Sequence, residues 1–155
     1  MSKAKAAPAP VEEPTTEEVV PVKGTGTFAF PDGSMYVGDY VEVDGVKTRE
    51  GEGTLTMGAE SYCGCWVGDK MNGKGKYKFA GGNTYEGIFA EGMFDGEGTY
   101  VFNDGGIYKG LWKQNSMHGM GEYTDTNQTK WAGEFFNGMF DTGKSYIALR
   151  PPVPL

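Results

Sequence analysis

Hydrophobic and polar residues alternate with a period of two along most of the chain, in short runs broken by glycine-rich turns. In Tyr85-Glu86-Gly87-Ile88-Phe89 this period puts Tyr85, Gly87 and Phe89 on one face. In Gly98-Thr99-Tyr100-Val101-Phe102 it puts Gly98, Tyr100 and Phe102 together. Such alternation marks half-buried β-strands, because the apolar positions of a helix recur every three or four residues instead. The linking segment EGMFDGEG and the following FNDGG are turn formers, so each unit predicts a β-hairpin. A glycine inside a strand weakens it. Its recurrence opposite large rings predicts that aromatic side chains of a neighbouring strand lie flat across bare backbone.

The hairpins repeat. The pair G-x-G recurs at Gly24/Gly26, Gly51/Gly53, Gly73/Gly75, Gly96/Gly98 and Gly119/Gly121, and the last three steps are 22, 23 and 23 residues. An aromatic residue followed two positions on by glycine keeps step at Tyr36, Tyr62, Tyr85, Tyr108 and Trp131. The longer first interval traces to extra residues in Val41 to Glu50, which predict a protruding turn. Self-similarity of this kind is the signature of a repeat array. With no helical segment between hairpins, the expected fold is all-β: a single-layer, twisted antiparallel meander. Eleven or so strands, spaced about 4.8 Å apart, give a ribbon about 50 Å long.

Proline marks the limits of the array. Pro8, Pro10, Pro14 and Pro21 precede it, Pro151, Pro152 and Pro154 follow it, and only Pro31 lies between. The expected organisation is a disordered Ala/Pro/Glu-rich tail over residues 1–22, the repeat array over 23–146 and a proline-rich tail over 147–155. Thr15 and Glu18 have capping-box spacing, but Val19 and Val20 run straight into Pro21, which opposes a helix.

The run YEGIFAEGMFDGEGTYVFNDGGIY resembles the MORN (membrane occupation and recognition nexus) repeat, YxGxWxxGxxxGxGxxxxxDG. The resemblance extends over about Lys23 to Tyr146, with four full units and a partial one at each end. Three positions depart from the pattern: Gly68 comes one place early, Asn115 replaces the mid-unit glycine and Gln128 replaces a turn glycine. Turns of different shape are expected there. The ending GEYTDTNQTKWAGEF also resembles the last repeat of small, stand-alone MORN-repeat proteins of ciliated and sperm-forming cells, including those of radial spokes. That resemblance implies a ciliary or flagellar axoneme as the location. Some members of the family carry a kinase or methyltransferase domain after the repeats; this chain runs only to Leu155, so the resemblance transfers no such activity.

Charge narrows the partners. Twenty-one acidic and fourteen basic residues leave a net charge of −7, which opposes nucleic acid, whose phosphates need clustered Lys and Arg. No apolar run approaches the ~20 residues of a membrane-spanning helix. The first residues lack the apolar core of a secretory signal, and Ser2 removes N-myristoylation. Two cysteines are too few for a disulfide framework, so the expected compartment is the reducing cytosol.

Little of the sequence suggests catalysis. His118 is the only histidine and is expected in a turn. None of the G-x-G pairs extends to G-x-G-x-x-G, because Ala29, Thr56, Lys78, Val101 or Thr124 takes the last place. Cys63 and Cys65 would share one face of a strand with Cα atoms about 6.5–7 Å apart, the upper limit for a disulfide, and are expected as reduced thiols. The Asn127-Gln128-Thr129 sequon is expected to stay bare. Asp69, Glu86, Glu91, Asp95, Glu97 and Asp104 show no calcium-loop spacing and read as a solvated surface. The expectation is a non-enzymatic protein with no cofactor and no metal.

The aromatic face remains. Its rings can pack on one another as a core, but a single-layer sheet has no second layer to cover them, so part of the row is expected open as a groove. The candidate lining is Tyr62, Trp66, Tyr77, Tyr85, Phe89, Tyr100, Tyr108, Trp112 and Trp131. Exposed rings of this type anchor partners. The expected ligand is a helix or peptide of another protein subunit, or a second copy of the chain. The expected function is a structural adaptor in a large assembly. The alternative is attachment to anionic phospholipid. It is disfavoured by 11 basic against 17 acidic residues from Gly24 on, with Lys74, Lys76 and Lys78 as the densest basic run.

Overall fold

The computed structural model describes residues 20–153. Twelve strands follow in chain order: β1 (Val22–Ala29), β2 (Met35–Val43), β3 (Val46–Met57), β4 (Glu60–Val67), β5 (Lys70–Lys78), β6 (Thr84–Ala90), β7 (Met93–Val101), β8 (Ile107–Lys113), β9 (Ser116–Thr124), β10 (Lys130–Phe136), β11 (Met139–Asp141) and β12 (Tyr146–Ile147). They form one open sheet in that same order, each strand antiparallel to the next. The expected hairpin meander is therefore the fold, with one strand more than the repeat count suggests. Residues 1–19 of the predicted first tail, Thr15 and Glu18 among them, lie outside the described residues, and Val22 already opens β1.

Two kinds of turn alternate from β4 onward, while β3 and β4 are joined by the two-residue turn Gly58-Ala59. The tight turn inside a hairpin holds two residues at positive φ: Asp44-Gly45, Gly68-Asp69, Glu91-Gly92, Gln114-Asn115 and Asn137-Gly138. Positive φ at both positions matches the twist of paired strands, which is why such turns dominate two-residue hairpins. The displaced Gly68 and the substituted Asn115 thus form the same turn as their counterparts, correcting the expectation of altered shape. Strand pairing on either side imposes the conformation whichever residue supplies it. The looser turn between hairpins closes through matched backbone bonds, Phe102 N to Gly106 O and Gly105 N to Phe102 O. In the last such turn Asp125 N bonds Thr129 O, Gln128 N bonds Asp125 O, and Gln128 takes the positive φ of Gly105. The extra residues at Val41–Glu50 form no loop. They lengthen the β2–β3 hairpin, pairing Val41 with Thr48 and Val43 with Val46.

The register aligns every unit. Ten glycines form one cross-strand row, from Gly26 through Gly38, Gly53, Gly64, Gly75, Gly87, Gly98, Gly110 and Gly121 to Gly133. Two residues away, on the same face, runs a parallel row of rings in which Tyr62, Tyr77, Tyr85, Tyr100, Tyr108, Tyr123 and Trp131 stand directly opposite one another. Just beyond the glycine row the register shifts, between Gly38/Tyr40, Gly64/Trp66, Gly87/Phe89 and Gly110/Trp112. Such bulges bend a strand and increase its twist. Here they fold each hairpin tip back over the rings. Backbone bonds lock consecutive tips together, Gly92 N to Met71 O, Asn115 N to Phe94 O and Gly138 N to Met117 O.

Candidate functional site

The glycine row exists to receive tyrosine. Tyr36, Tyr62, Tyr85 and Tyr108 each lie along the strand axis, and each hydroxyl donates to the carbonyl three residues on: Asp39, Cys65, Ile88 and Leu111, at 2.7–2.9 Å. The ring rests on two glycines. A Cβ built on Gly98 would lie 2.5 Å from Tyr85 Cζ, closer than a carbon contact allows. Above Tyr85, Phe94 stacks with ring centroids 3.7 Å apart and planes 14° off parallel. At its edges stand Phe89 and Trp112, 5.1 and 5.4 Å away and near perpendicular. The ring four residues after each tyrosine also meets the tyrosine of the preceding unit, as Phe89 meets Tyr62 at 4.9 Å. Edge-to-face contact of this kind contributes about 0.5–1.5 kcal/mol per pair beyond area burial. Trp66 and Trp112 donate their indole N–H to Gly53 O and Gly98 O.

This packing corrects the expected groove. Tyr62, Trp66, Tyr77, Tyr85, Phe89, Tyr100, Tyr108 and Trp112 are buried, from 0 to 7% exposed, and only Trp131 of the nine is half-buried. A single-layer sheet hides them because the curled hairpin tips and the rings of adjacent units supply the cover that a second layer would give. Burial accordingly raises the phenol pKa of Tyr62, Tyr85 and Tyr108. It pushes Tyr100 up to about 12, and Tyr77 likewise to about 12, there with help from a hydrogen bond to Glu60.

What stays accessible lies at the two ends of the face. At the N-terminal end Phe28, Phe30, Tyr36 and Tyr40 border a cleft of about 290 Å³ with Lys47, Arg49 and Asp69. Arg49 spreads over Trp66, its Cζ 4.2 Å from the ring centroid, while its Nε donates to Asp69 Oδ1 at 2.9 Å. At the C-terminal end the sheet carries an occupant of its own. After β12 the chain returns across the rings, and Leu149 and Val153 pack against the core. Arg150 lies between them, 4.4 Å above Phe102 and 5.6 Å above Tyr123. Its Nε donates to Tyr123 Oη at 2.7 Å, and its Nη2 donates to both Asp104 oxygens at 2.6 Å. The Arg150 hydrogen bond is the main reason the Asp104 carboxyl sits below its ordinary pKa. The sequence reading placed Asp104 on a solvated surface and gave Arg150 no role. The only local hint was an arginine inside a proline-rich segment.

The remaining chemical candidates disperse. His118 lies in strand β9 rather than a turn, with its ring 5.3 Å from Phe136 and its Nδ1 buried without a hydrogen-bond partner. Cys63 and Cys65 are free thiols, and Cys65 donates to Glu52, which raises its pKa and keeps it protonated. Lys76 pairs with Glu86 at 3.0 Å, breaking the basic run. Among the described residues no group of three His, Cys, Asp or Glu side chains is placed to hold a metal ion, and no helix is long and apolar enough to cross a membrane.

Comparison with known proteins agrees with the register. The MORN repeat family model matches residues 23–35, 62–84, 85–107 and 108–130, together more than half of the chain. Each full match spans one 23-residue step, beginning at Tyr62, Tyr85 or Tyr108, and the unmatched stretch between the first two matches contains the lengthened β2–β3 hairpin. No curated protein matches the chain. A non-enzymatic repeat module is what the matched model describes, and by the coverage of its matches the chain belongs to the MORN repeat family.

Proposed function

We propose that this protein is a non-catalytic adaptor, a stiff ribbon that holds an extended segment of another protein against the accessible part of its aromatic face. The observation that carries this reading is the return of Leu149–Val153 across the rings, with an arginine laid on Phe102 and Tyr123. It supports the reading because rings supply the floor, a loop carboxylate supplies charge, and the segment seated there has no regular structure of its own. The interlocked tyrosines and glycines make the support rigid, so little order is lost when a segment docks. The acidic balance of the array suits a basic partner.

The assembly we propose is the ciliary or flagellar axoneme, in a complex of the radial-spoke type. This rests on the resemblance of the ending GEYTDTNQTKWAGEF to small ciliary MORN proteins. The test is extraction: the tagged chain is expressed in a ciliated cell, and isolated cilia are treated with non-ionic detergent. Retention on the axoneme through a salt wash is the expected result. Release with the membrane fraction would instead support lipid attachment, and absence from cilia would remove the axonemal placement.

A further inference from the structure

We infer that Leu149–Val153 is a built-in competitor for this protein's own binding face, and that the face selects an extended partner segment carrying an arginine next to proline, which binds by displacing Arg150. The inference rests on the adaptor reading above and specifies the partner and regulation of that site.

The pocket is shaped for a guanidinium. Three acceptors converge on Arg150: Tyr123 Oη on Nε, and Asp104 Oδ1 and Oδ2 on Nη2. The planar group lies on Phe102. An ammonium is a single point charge and cannot combine this fork with stacking on a ring, so lysine would fit poorly. The acceptor is also set independently of the arginine, because Gly106 N donates to Asp104 Oδ1 at 3.0 Å and orients the carboxylate within the β7–β8 loop. One unit earlier the corresponding loop, Phe79-Ala80-Gly81-Gly82, has glycine where Asp104 stands. Of the three loops that follow β5, β7 and β9, only this one carries a carboxylate at that position. At the other end of the face Arg49 uses the same combination, a ring beneath and a turn carboxylate beside it.

The segment is attached in a way that permits exchange. Among the described residues no backbone hydrogen bond ties 149–153 to the sheet. Pro151 and Pro152 are exposed and have no N–H to offer. The hold consists of Arg150, whose partner Asp104 is 43% exposed, and of two aliphatic side chains. Beside it a cleft of about 450 Å³ opens between Pro151 to Val153 and the β8–β9 and β10–β11 turns. An incoming segment therefore has a route to the rings while the tether is still engaged. Because the competitor is tethered, it acts at a high effective concentration, and an outside segment meets a face that is mostly occupied.

The test uses the full chain. A fluorescent peptide of sequence Ala-Leu-Arg-Pro-Pro-Val, copying residues 148–153, is titrated by anisotropy against the wild type and against Arg150→Ala. We expect Arg150→Ala to bind the peptide about tenfold or more tightly than the wild type does, since removing the competitor raises the open fraction. Replacing the peptide's arginine with lysine, or adding Asp104→Asn to Arg150→Ala, should abolish the gain. Tryptophan fluorescence identical to the wild type shows that each variant is folded. A folded Arg150→Ala that does not bind the peptide overturns the partner assignment, and equal binding to wild type and variant overturns the competition. Either failure leaves axonemal retention, read separately, to decide whether the ribbon is an adaptor through some other surface.

Discussion

Replacing Gly98 with alanine should destabilise this protein by about 2–4 kcal/mol although it adds a single methyl group. Gly98 lies in extended backbone, so the methyl brings no conformational strain of its own. It would sit 2.5 Å from Cε2 and Cζ of Tyr85, and the tyrosine cannot retreat, because Phe94 lies on its other side at 3.7 Å and Phe89 and Trp112 close its edges. Overpacking of a tight core costs about 1–3 kcal/mol. Any tilt that relieves it also breaks the bond from the Tyr85 hydroxyl to Ile88 O, worth about 0.5–1.5 kcal/mol. Two controls separate this from a general intolerance of alanine. Gly92 in the β6–β7 turn has open space around its Cβ position but a φ of +85°, so Gly92→Ala should cost about 1 kcal/mol through backbone strain alone. Gly81 has neither neighbour nor positive φ, and Gly81→Ala should change little. Urea unfolding followed by tryptophan fluorescence ranks the three by midpoint at constant slope. A double-mutant cycle with Tyr85→Leu adds the decisive comparison: with the phenol gone, Gly98→Ala should lose most of its cost. Equal midpoints for Gly98→Ala and Gly81→Ala, or a cost unchanged in the Tyr85→Leu background, would refute the idea that ring and glycine are one interlocked unit.

Alkaline pH should unfold the ribbon cooperatively. Burial raises the phenols of Tyr62, Tyr85 and Tyr108 and holds Tyr77 and Tyr100 near 12, against an unperturbed value of 10.0. The unfolded chain therefore releases protons first, and stability falls as pH rises from about 10 towards 12; phenolate absorbance should appear together with the loss of fluorescence, and phenolate forming in a still-folded protein would contradict the packing. Arg49→Ala should cost about 0.5–1.5 kcal/mol by removing both the contact over Trp66 and the pairing with Asp69, and Arg49→Lys should not restore it, which thermal melts can check. In an Arg150→Ala variant the Asp104 carboxyl, now held low chiefly by the Arg150 hydrogen bond, should move back up towards its ordinary value. An NMR titration that leaves Asp104 unmoved would mean that the arginine is not seated on the face in solution.

The repeat was legible because it is written into local backbone preferences. Alternation with period two, glycine every second place beside a ring, and a 23-residue step identify the strands, their order and the face that carries the rings. The expectation that rings would lie across bare backbone is met at Tyr36, Tyr62, Tyr85 and Tyr108. Turn shape was less legible. Asn115 and Gln128 take the positive φ that glycine would adopt, since the paired strands on either side impose it.

Burial depends on what other units bring to each ring, and no local pattern encodes that. Phe94 reaches Tyr85 only because the bulge at Gly87/Phe89 curls the hairpin, and Trp112 reaches it from the next unit. For that reason eight of the nine rings expected to line an open groove became core. The charged chemistry of the face lies instead at Asp104 and Arg150, with Tyr123 buried beneath the arginine. The two charged partners stand 46 positions apart in sequence, and the arginine belongs to a segment whose composition reads as a proline-rich tail beyond the array. Periodicity along the chain thus determined the ribbon and its face. Contacts between residues distant in sequence, which depend on how the whole sheet coils, decided which part of that face is open and what lies on it.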